Sequence, residues 1–429
     1  MQKNIISNKT LNEEYYAFTH ESGLKILLYP MKGFSSSYAL FGTKYGSIDT
    51  TFKTQNDEDF VTVPEGIAHF LEHKLFESED GDAFSLFAKT GASANAFTSF
   101  EKTCYLFSTT DNFNESLEAL VTFVQSPYFT KETVEKEQGI IGQEIKMYED
   151  DPNWRVFFNL LVALYHNNPV KIDIAGTVDS IAKIDKDLLY RCYHTFYNLN
   201  NMIVAIAGNF DVDDAISIIE SNLKPCEKVN VITKIPEEPK QVAQKEFVQN
   251  LQVAIPLFNI GYKEVPVEEE KLLNLQIQYE LILSVIAGKS SELYKEMYEE
   301  GLINSTFGKE VFSGRGFLAN IFAGESRQPK VVMERIHKRI QLYKQNGISK
   351  EEFERAKKSM YGRAIMNFND VDEVANDLVS AHFSGNSIYD TIQIVASLTC
   401  EEVNLLLKNS FNEECLAISI VNPDSEKLA

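Results

Sequence analysis

Two histidines and a glutamate fall at spacings that place all three on one face of a helix. His69 and His73 are four residues apart, and Glu72 follows the first histidine by three. Apolar residues at helical spacing around them predict a helix over residues 64–77, with Pro64 in its first turn. Because positions i, i+3 and i+4 share a helix face, both imidazoles and the carboxylate point the same way. This arrangement favours a metal site with a base beside it over the isolated, solvated histidines that are common on helices.

A second helix supplies candidates for a third metal ligand. Catalytic zinc is held by three protein side chains and a water, so two histidines need one further donor. The helix predicted over residues 130–149 carries Glu137 and Glu144, which are seven residues apart and therefore share a face. Gly139 and Gly142 lie inside the same helix, where each glycine costs about 1 kcal/mol relative to alanine. We therefore expect another element, such as the histidine helix, to approach closely at these glycines.

Glu72 has the position that a catalytic base requires. Zinc polarises a scissile carbonyl and lowers the pKa of its water to about 7. A carboxylate that lies close to the ion without binding it takes the proton of this water and later delivers it to the leaving amine. The residue types and their spacing therefore predict a zinc-dependent hydrolase with one zinc ion per chain.

The order His69-x-x-Glu72-His73 is the inverted-zincin motif. Together with Glu137 and Glu144 in a chain of 429 residues, it resembles the pitrilysin, insulin-degrading enzyme and mitochondrial processing peptidase superfamily. Within it, the sequence is most similar to the zinc-bearing chain of the bacterial two-chain processing-peptidase-like branch. The resemblance implies that His69, His73 and Glu144 bind zinc and that Glu72 is the base. It also implies that Glu137 is part of the catalytic site, where its carboxylate supports the metal ligands without binding the ion itself.

A short stretch after the histidine helix matches the superfamily's substrate strand. The matching residues are Asn95, Ala96, Phe97 and Thr98. In the superfamily, the backbone of this edge strand pairs with an extended substrate peptide, which is binding by β-augmentation. The small residues over 92–94 have an equally good explanation in ordinary tight packing against the histidine helix.

The second half departs from the superfamily pattern. Active members often carry, after a Ser-x-Leu-Phe-like helix, an arginine and then a tyrosine that hold the substrate and its carbonyl. In this sequence Tyr298 stands where the arginine is expected and Asn304 where the tyrosine is expected. Between Ser284 and Asn304 there is no arginine. The resemblance then implies a heterodimer, in which a homologous, metal-free partner subunit supplies the arginine and tyrosine clamp.

The order of elements predicts an α+β protein of two homologous halves. Each half opens with strands and closes on an apolar strand, over 201–209 in the first and 415–422 in the second. In the second half the predicted strands are 248–262 and 316–325, and the predicted helices between them are 268–287 and 291–301. Each half is expected to form a mixed, largely antiparallel sheet packed with helices. The resemblance implies that the halves face each other, or a partner chain, as half of a clam-shell.

The domain boundaries follow from a proline-containing stretch near the middle of the chain. Residues 225–245 carry three prolines and several charges without a helical period, as an exposed linker does. The prediction is a zinc-bearing catalytic domain over 1–224 and a second homologous domain, without a metal site, over 246–429.

The composition restricts the classes of binding partner and the cellular compartment that we expect for this protein. The formal net charge of −21 argues against binding to nucleic acid and to anionic membranes. The five cysteines are scattered without a C-x-x-C pair, which predicts reduced thiols and no thiolate metal site. The first sixteen residues lack the apolar core of a signal peptide, and the longest apolar stretch is too short to span a bilayer. We therefore expect a cytoplasmic protein.

Two other functions compete with the zinc peptidase as explanations of the sequence. Gly288-Lys289-Ser290 suggests a phosphate-binding loop, but Leu283 stands where that motif needs its first glycine. The rival from another class is a non-catalytic structural or peptide-binding subunit that keeps the processing-peptidase fold. Loss of metal ligands would be its usual mark, and all three candidate ligands are present. The favoured prediction is a zinc endopeptidase subunit that cleaves unstructured peptides, bound as an added β-strand in an enclosed chamber.

Overall fold

A computed structural model describes residues 2–79 and 81–424. The strands are β1 (Gln2–Asn8), β2 (Glu13–Thr19), β3 (Lys25–Pro30), β4 (Ser37–Thr43), β5 (Thr51–Thr54), β6 (Val61–Thr62), β7 (Glu77–Ser78), β8 (Gly81–Asp82), β9 (Ser93–Thr98), β10 (Thr103–Thr109), β11 (Met202–Gly208), β12 (Val231–Thr233), β13 (Glu246–Leu251), β14 (Leu257–Lys263), β15 (Gly308–Gly314), β16 (Phe317–Glu325) and β17 (Leu416–Pro423). The helices are α1 (Ile67–Leu75), α2 (Phe84–Thr90), α3 (Phe113–Val124), α4 (Lys131–Asp150), α5 (Pro152–Leu164), α6 (Val178–Ile181), α7 (Lys186–Phe196), α8 (Val212–Asn222), α9 (Glu269–Ala287), α10 (Glu292–Glu299), α11 (Pro329–Asn346), α12 (Lys350–Met366), α13 (Val371–Phe383), α14 (Asp390–Ser397) and α15 (Cys400–Asn409).

The described residues form two compact units, each assembled from several stretches of chain. The first unit takes its residues from Met1–Ile145, Asp173–Lys234 and Ile365–Tyr389, and the second from Lys146–Ile172, Ile235–Ala364 and Asp390–Ala429. Helix α5 therefore belongs to the second unit, where it packs against β14 and β17, and α13 belongs to the first, where it packs against β4 and β11. The domain boundaries expected at residues 224 and 246 remain a prediction about the homologous halves.

The five-stranded main sheet of the second unit repeats the order and pairing directions of five of the seven strands in the main sheet of the first. The strand order is β1-β2-β3-β11-β4-β10-β9 in the first unit and β13-β17-β14-β16-β15 in the second. In each, one parallel pair, β3 with β11 or β13 with β17, adjoins a run of antiparallel pairs. The predicted α+β class with mixed, largely antiparallel sheets in two α/β halves is confirmed. Strands β11 and β17, the two predicted closing strands, occupy corresponding central positions, and β9 and β15 occupy corresponding edges.

Helices cover the central strands of both sheets. Every residue of β4, β11 and β14 is buried, which explains their continuous apolar runs. In the first unit α13 lies on β4 and β11, while α1 and α3 contact β10. In the second unit α9 contributes a long buried face, which includes Leu281, Ile282 and Leu283, to the core. The sheet of the first unit therefore holds α1, which carries the two histidines, through contacts with β9 and β10.

Two kinds of contact hold residues 225–245 in place. One is strand pairing in the first unit, and the other is a set of hydrogen bonds to a buried carboxylate in the second. Strand β12 pairs with β5 in the first unit. In the second unit, the Glu238 side chain is almost fully buried and accepts hydrogen bonds from the backbone N–H groups of residues 166–168. Lys263 Nζ lies 2.6 Å from its Oε1, so the buried charge is paired.

Two expectations from composition concern cysteines and membrane spans. All five cysteines are free thiols in the structure, as predicted. Within the described ranges, none of the helices combines the length and the apolarity that crossing a bilayer requires.

The two glycines inside α4 do not mark a close approach of another element. A Cβ atom built on Gly139 would meet no atom within 4 Å in the described part of the chain, and one on Gly142 would meet only Ile181 Cδ1 at 4.0 Å. The expectation that the histidine helix packs at these glycines is therefore wrong. Their cost to helix stability is not offset by a packing contact at these positions.

We expect Gly139→Ala to raise the free energy of unfolding by about 0.5–1 kcal/mol, because alanine loses less backbone entropy in a helix. Urea unfolding of the purified chain measures the effect. The matched control is Gly66→Ala, where φ is 85° and a Cβ would lie 2.4 Å from Ala175 O. The control is expected to lower stability, and a shift of both variants in the same direction would contradict this explanation.

Candidate active site

Helix α1 carries the two histidines and begins later than its sequence pattern predicts. Gly66 precedes it in the left-handed conformation with φ 85°, and the helical residues are Ile67–Leu75. Pro64 therefore lies before the helix and not in its first turn. Phe70 and Leu71 are fully buried. This apolar face fixes the rotation of α1, and the opposite face presents the histidines and Glu72.

The structure brings the three predicted metal ligands together. One candidate ligand atom from each of His69, His73 and Glu144 lies within 4.8 Å of the other two. Glu144 Oε1 is 3.7 Å from His69 Nε2, and its Oε2 is 3.4 Å from His73 Nε2. The two imidazole rings have centroids 4.6 Å apart. Two imidazoles and one carboxylate converging on a point are the donor set of a catalytic zinc site.

Glu137 orients one of the histidines. Its Oε1 lies 3.0 Å from His73 Nδ1, and its side chain is buried on α4 two turns before Glu144. A carboxylate on Nδ1 keeps the proton on that nitrogen and leaves Nε2 free to bind a metal ion. Glu137 thus contacts the imidazole of His73 and is not one of the three converging groups.

The two histidines lie in different electrostatic environments. Burial, assisted by the neighbouring His73, lowers the pKa of His69 to about 3, so its imidazole is neutral. Its Nδ1 is buried without a hydrogen-bond partner in the described residues. Burial alone would lower the pKa of His73, but the hydrogen bond that its Nδ1–H donates to Glu137 and the charge of Glu144 raise it. The carboxylates around His73 therefore favour a positive charge in this space, and a neutral His69 can donate its lone pair to a cation.

Glu72 lies beside the three converging groups and is held by a threonine. Thr98 Oγ1 donates a hydrogen bond to Glu72 Oε2 over 2.6 Å. Burial raises the pKa of Glu72, and the hydrogen bond from Thr98 opposes that shift. A partly buried carboxylate with a raised pKa, next to a cation site, is suited to accept a proton and to return it.

Strand β9 carries the four residues predicted to hold substrate. It lies at the end of the seven-stranded sheet and pairs with β10 alone among the described strands. Asn95 and Ala96 line a cavity of about 560 Å³ together with Glu72. Phe97 packs against the core of the first unit, and Thr98 contacts the base. The strand therefore offers an unpaired backbone edge next to the site, which is the geometry of β-augmentation.

Sequence reasoning did not single out two phenylalanines that line the same cavity. Phe76 and Phe84 have ring centroids 4.3 Å apart and an interplanar angle of 7°. Phe76 is three residues after His73, one turn further along the same side, so the helical spacing contained this signal. Lys74 was also missed, although it is fully buried and ion-paired with Glu77 one turn later.

The comparisons with known proteins agree with this geometry. The family "Insulinase (Peptidase family M16)" matches residues 62–178, and the family "Peptidase M16 inactive domain" matches residues 183–360. The chain is 40% identical over 425 residues to "Uncharacterized zinc protease YmfH" of Bacillus subtilis strain 168, covering 98% of this chain and 99% of the relative.

Solved structures extend the similarity to the fold. The structure of an M16-like peptidase from Alicyclobacillus acidocaldarius superimposes with a TM-score of 0.92 at 33% identity, covering 99% of both chains. The periplasmic protease PqqL of Escherichia coli shares the fold, with a TM-score of 0.74 at 16% identity, and this chain covers 49% of it. With both family matches and a relative of 40% identity along nearly its whole length, the chain belongs to peptidase family M16, the pitrilysin and insulinase superfamily.

Proposed function

We propose that this chain is a zinc-dependent endopeptidase subunit that cleaves unstructured peptides. The observation that carries the proposal is the convergence of His69, His73 and Glu144 with Glu72 directly beside them. Relatives named as zinc proteases support it. His69, His73 and Glu144 would hold one zinc ion per chain, and the ion, when bound, would supply a Lewis acid for the scissile carbonyl.

The other residues of the site bind substrate and move the proton. The free edge of β9 would pair with the backbone of an extended peptide and present one of its peptide bonds to Glu72. Glu72 takes a proton from the attacking water and passes it to the nitrogen of the departing amine. Thr98 holds the carboxylate of Glu72 in place, and Glu137 holds the imidazole of His73.

The second part of the proposal is a homologous, metal-free partner subunit that supplies an arginine and a tyrosine. Asn304 Nδ2 donates to Glu325 Oε2 over 2.6 Å, so the side chain at the expected tyrosine position is already engaged within the second unit. Tyr298, at the expected arginine position, is half exposed and carries no positive charge. The PqqL chain, of which this chain covers 49%, is about twice as long, and this length supports the pairing of two such modules.

The chain with its partner is therefore expected to cleave a given unstructured peptide at least about ten-fold faster than the chain alone, since a single charged hydrogen bond contributes about that much. Initial rates of fluorogenic peptide cleavage, with and without the co-purified homologue, measure the difference. An equal rate for the purified chain alone would show that no partner is needed.

Chelation tests the function itself. The complex, affinity-purified from the cells that produce it, is expected to lose peptide cleavage on removal of metal and to regain it with one equivalent of zinc per molecule of this chain. Cleavage that persists in the metal-free complex would overturn the proposed function. A cytoplasmic location, with neither nucleic acid nor membrane as a partner, remains part of the proposal, and the five free thiols support it.

The alternative is a non-catalytic subunit that keeps the fold to bind peptide or to build a complex. The match of residues 183–360 to the family "Peptidase M16 inactive domain" favours it for that part of the chain. The candidate metal ligands lie outside this match, in the part that matches the insulinase family. Stoichiometric peptide binding without any cleavage, in zinc-loaded protein with its partner, would favour the alternative.

A further inference from the structure

Helices α1 and α4 each supply part of the candidate metal site, so its geometry depends on how these two helices are held relative to each other. His69 and His73 belong to α1, and Glu144 belongs to α4. Close packing at Gly139 does not set this spacing, because a side chain there would meet open space in the described part of the chain. One stretch of the first unit that touches both helices is 175–184, which includes α6 and which we call the bridging segment.

The bridging segment meets the chain just before α1 backbone to backbone. Gly66 and Gly176 have φ angles of 85° and 76°, which glycine adopts without strain. A Cβ atom on Gly66 would lie 2.4 Å from Ala175 O, and one on Gly176 would lie 2.6 Å from Glu65 O. The two backbones are therefore in direct contact, and neither glycine position has room for a side chain.

A buried hydroxyl adds a hydrogen bond to this contact. Ser180 Oγ lies 2.9 Å from Glu65 O and 3.0 Å from Thr177 O, so these two carbonyls share its proton. The same oxygen accepts a hydrogen bond from the Thr177 backbone N–H at 2.9 Å, as one half of a capping box. The next carbonyl along the chain, that of Gly66, accepts a helical hydrogen bond from the Phe70 N–H. Ser180 therefore holds the chain at the point where the histidine helix begins.

The later residues of the bridging segment contact α4. Gln138 Nε2 donates a hydrogen bond of 2.9 Å to Ile184 O. One turn further along α4, a Cβ atom on Gly142 would lie 4.0 Å from Ile181 Cδ1, which is an ordinary van der Waals distance. The side chains of Ile181 and Ile184 are both buried. These contacts therefore fall on the turns of α4 that lead directly to Glu144.

Small displacements between α1 and α4 would matter for a metal ion. Zinc binds imidazole nitrogen and carboxylate oxygen at about 2.0–2.2 Å, with a tolerance of about 0.2 Å. Glu144 Oε2 lies 3.4 Å from His73 Nε2, which is close to the separation of two ligands on one tetrahedral ion. The helices thus already have the spacing that a shared ion requires, and a shift of a fraction of an ångström would weaken binding.

We propose that the bridging segment sets the spacing of α1 and α4, with Ser180 and Gln138 as positioning residues for the zinc site. Neither residue is among the three converging groups, and each acts through the helix that it holds. This positioning role rests on the proposed function, because it concerns the ligands of that same site.

Zinc affinity of the full-length chain, measured by competition with a chromophoric chelator, tests the positioning role. Ser180→Ala and Gln138→Ala are each expected to lower the affinity about five- to ten-fold, since one hydrogen bond contributes about that much. Thr177→Ala removes the other half of the capping box and is expected to lower the melting temperature while zinc affinity stays at the wild-type value. Gln143→Ala changes an exposed glutamine of α4 and is also expected to leave the affinity unchanged.

A double variant distinguishes one connected segment from two separate local effects. Because loss of either hydrogen bond would release one helix from the bridging segment, Ser180→Ala combined with Gln138→Ala is expected to lower zinc affinity about as much as the larger single change. Losses that add in full would show that the two residues do not act through one segment, and would overturn the proposal.

Hydrogen exchange in the metal-free chain tests the bridging segment independently of zinc. Ser180→Ala is expected to speed exchange of the Phe70 amide about five- to ten-fold, and Thr177→Ala is expected to leave it unchanged. Wild-type zinc affinity in both Ser180→Ala and Gln138→Ala, or an equal loss in Thr177→Ala, would overturn the proposal. A wild-type chain that binds no zinc would overturn the proposed function, and the exchange rate of Phe70 would then decide the role of the bridging segment by itself.

Discussion

Replacing Glu72 with glutamine is expected to abolish peptide cleavage while the zinc content stays at one ion per chain. Glutamine keeps the shape of the side chain and can still accept the hydrogen bond from Thr98, which lies 2.6 Å from Glu72 Oε2. It cannot take up the proton of water, and general acid–base catalysis contributes about 10²–10⁴-fold to rate. Cleavage rates and zinc content, measured on the same preparation together with its partner, give both quantities.

A matched substitution separates chemistry from the general charge of the cavity. Glu79 is exposed and lines the same cavity as Glu72, but it belongs to neither the converging ligands nor the base. Glu79→Gln is therefore expected to keep most of the wild-type rate. If Glu72→Gln retained the activity of the Glu79→Gln control, the assignment of the base would be wrong.

Replacing either of two carboxylates on α4 is expected to lower zinc affinity, and the two replacements are expected to differ in the size of the loss. Glu144→Gln removes the sole carboxylate among the three converging groups and is expected to give the larger loss of affinity. Glu137→Gln removes the partner of His73 Nδ1, and loss of such a partner typically weakens metal binding about 10–100-fold. Competition with a chromophoric chelator measures both affinities at fixed pH.

An exposed glutamate on the same helix provides the control for this series. Glu135 lies at the surface of α4, in a solvent-exposed pair with Lys131, and its change to glutamine is expected to leave zinc affinity unaltered. Wild-type affinity in Glu144→Gln would remove it from the ligand set. A loss in Glu137→Gln equal to that in Glu144→Gln would instead make Glu137 a direct ligand.

The parts of the site that sequence could predict are those with local periodicity. Helix α4 spans Lys131–Asp150, close to the predicted 130–149, because its apolar residues recur at helical spacing. The shared faces of the two histidines, and of Glu137 with Glu144, follow from the same geometry. The meeting of α1 with α4 could not be derived in this way, because more than sixty residues separate His73 from Glu137. That contact was anticipated from the resemblance to a known superfamily.

The parts that sequence missed depend on tertiary contacts. Strand β15 was not predicted, because Lys309 and Glu310 interrupt any apolar alternation, and its pairing with β16 makes it a strand. The single strand predicted over 248–262 is two strands, β13 and β14, and Pro256 lies in the turn between them. The start of α1 was misplaced because the left-handed conformation of Gly66 leaves no mark in a hydrophobic pattern.

X-ray absorption at the zinc edge, on wild-type protein and on Glu144→Gln, tests the central claim most directly. The expected wild-type spectrum shows two imidazole nitrogens and at least one carboxylate oxygen around one zinc per chain, with no sulfur neighbour. The expected Glu144→Gln sample binds zinc weakly or not at all. A sulfur-coordinated zinc, or an unchanged zinc environment in Glu144→Gln, would contradict a metal centre built from His69, His73 and Glu144.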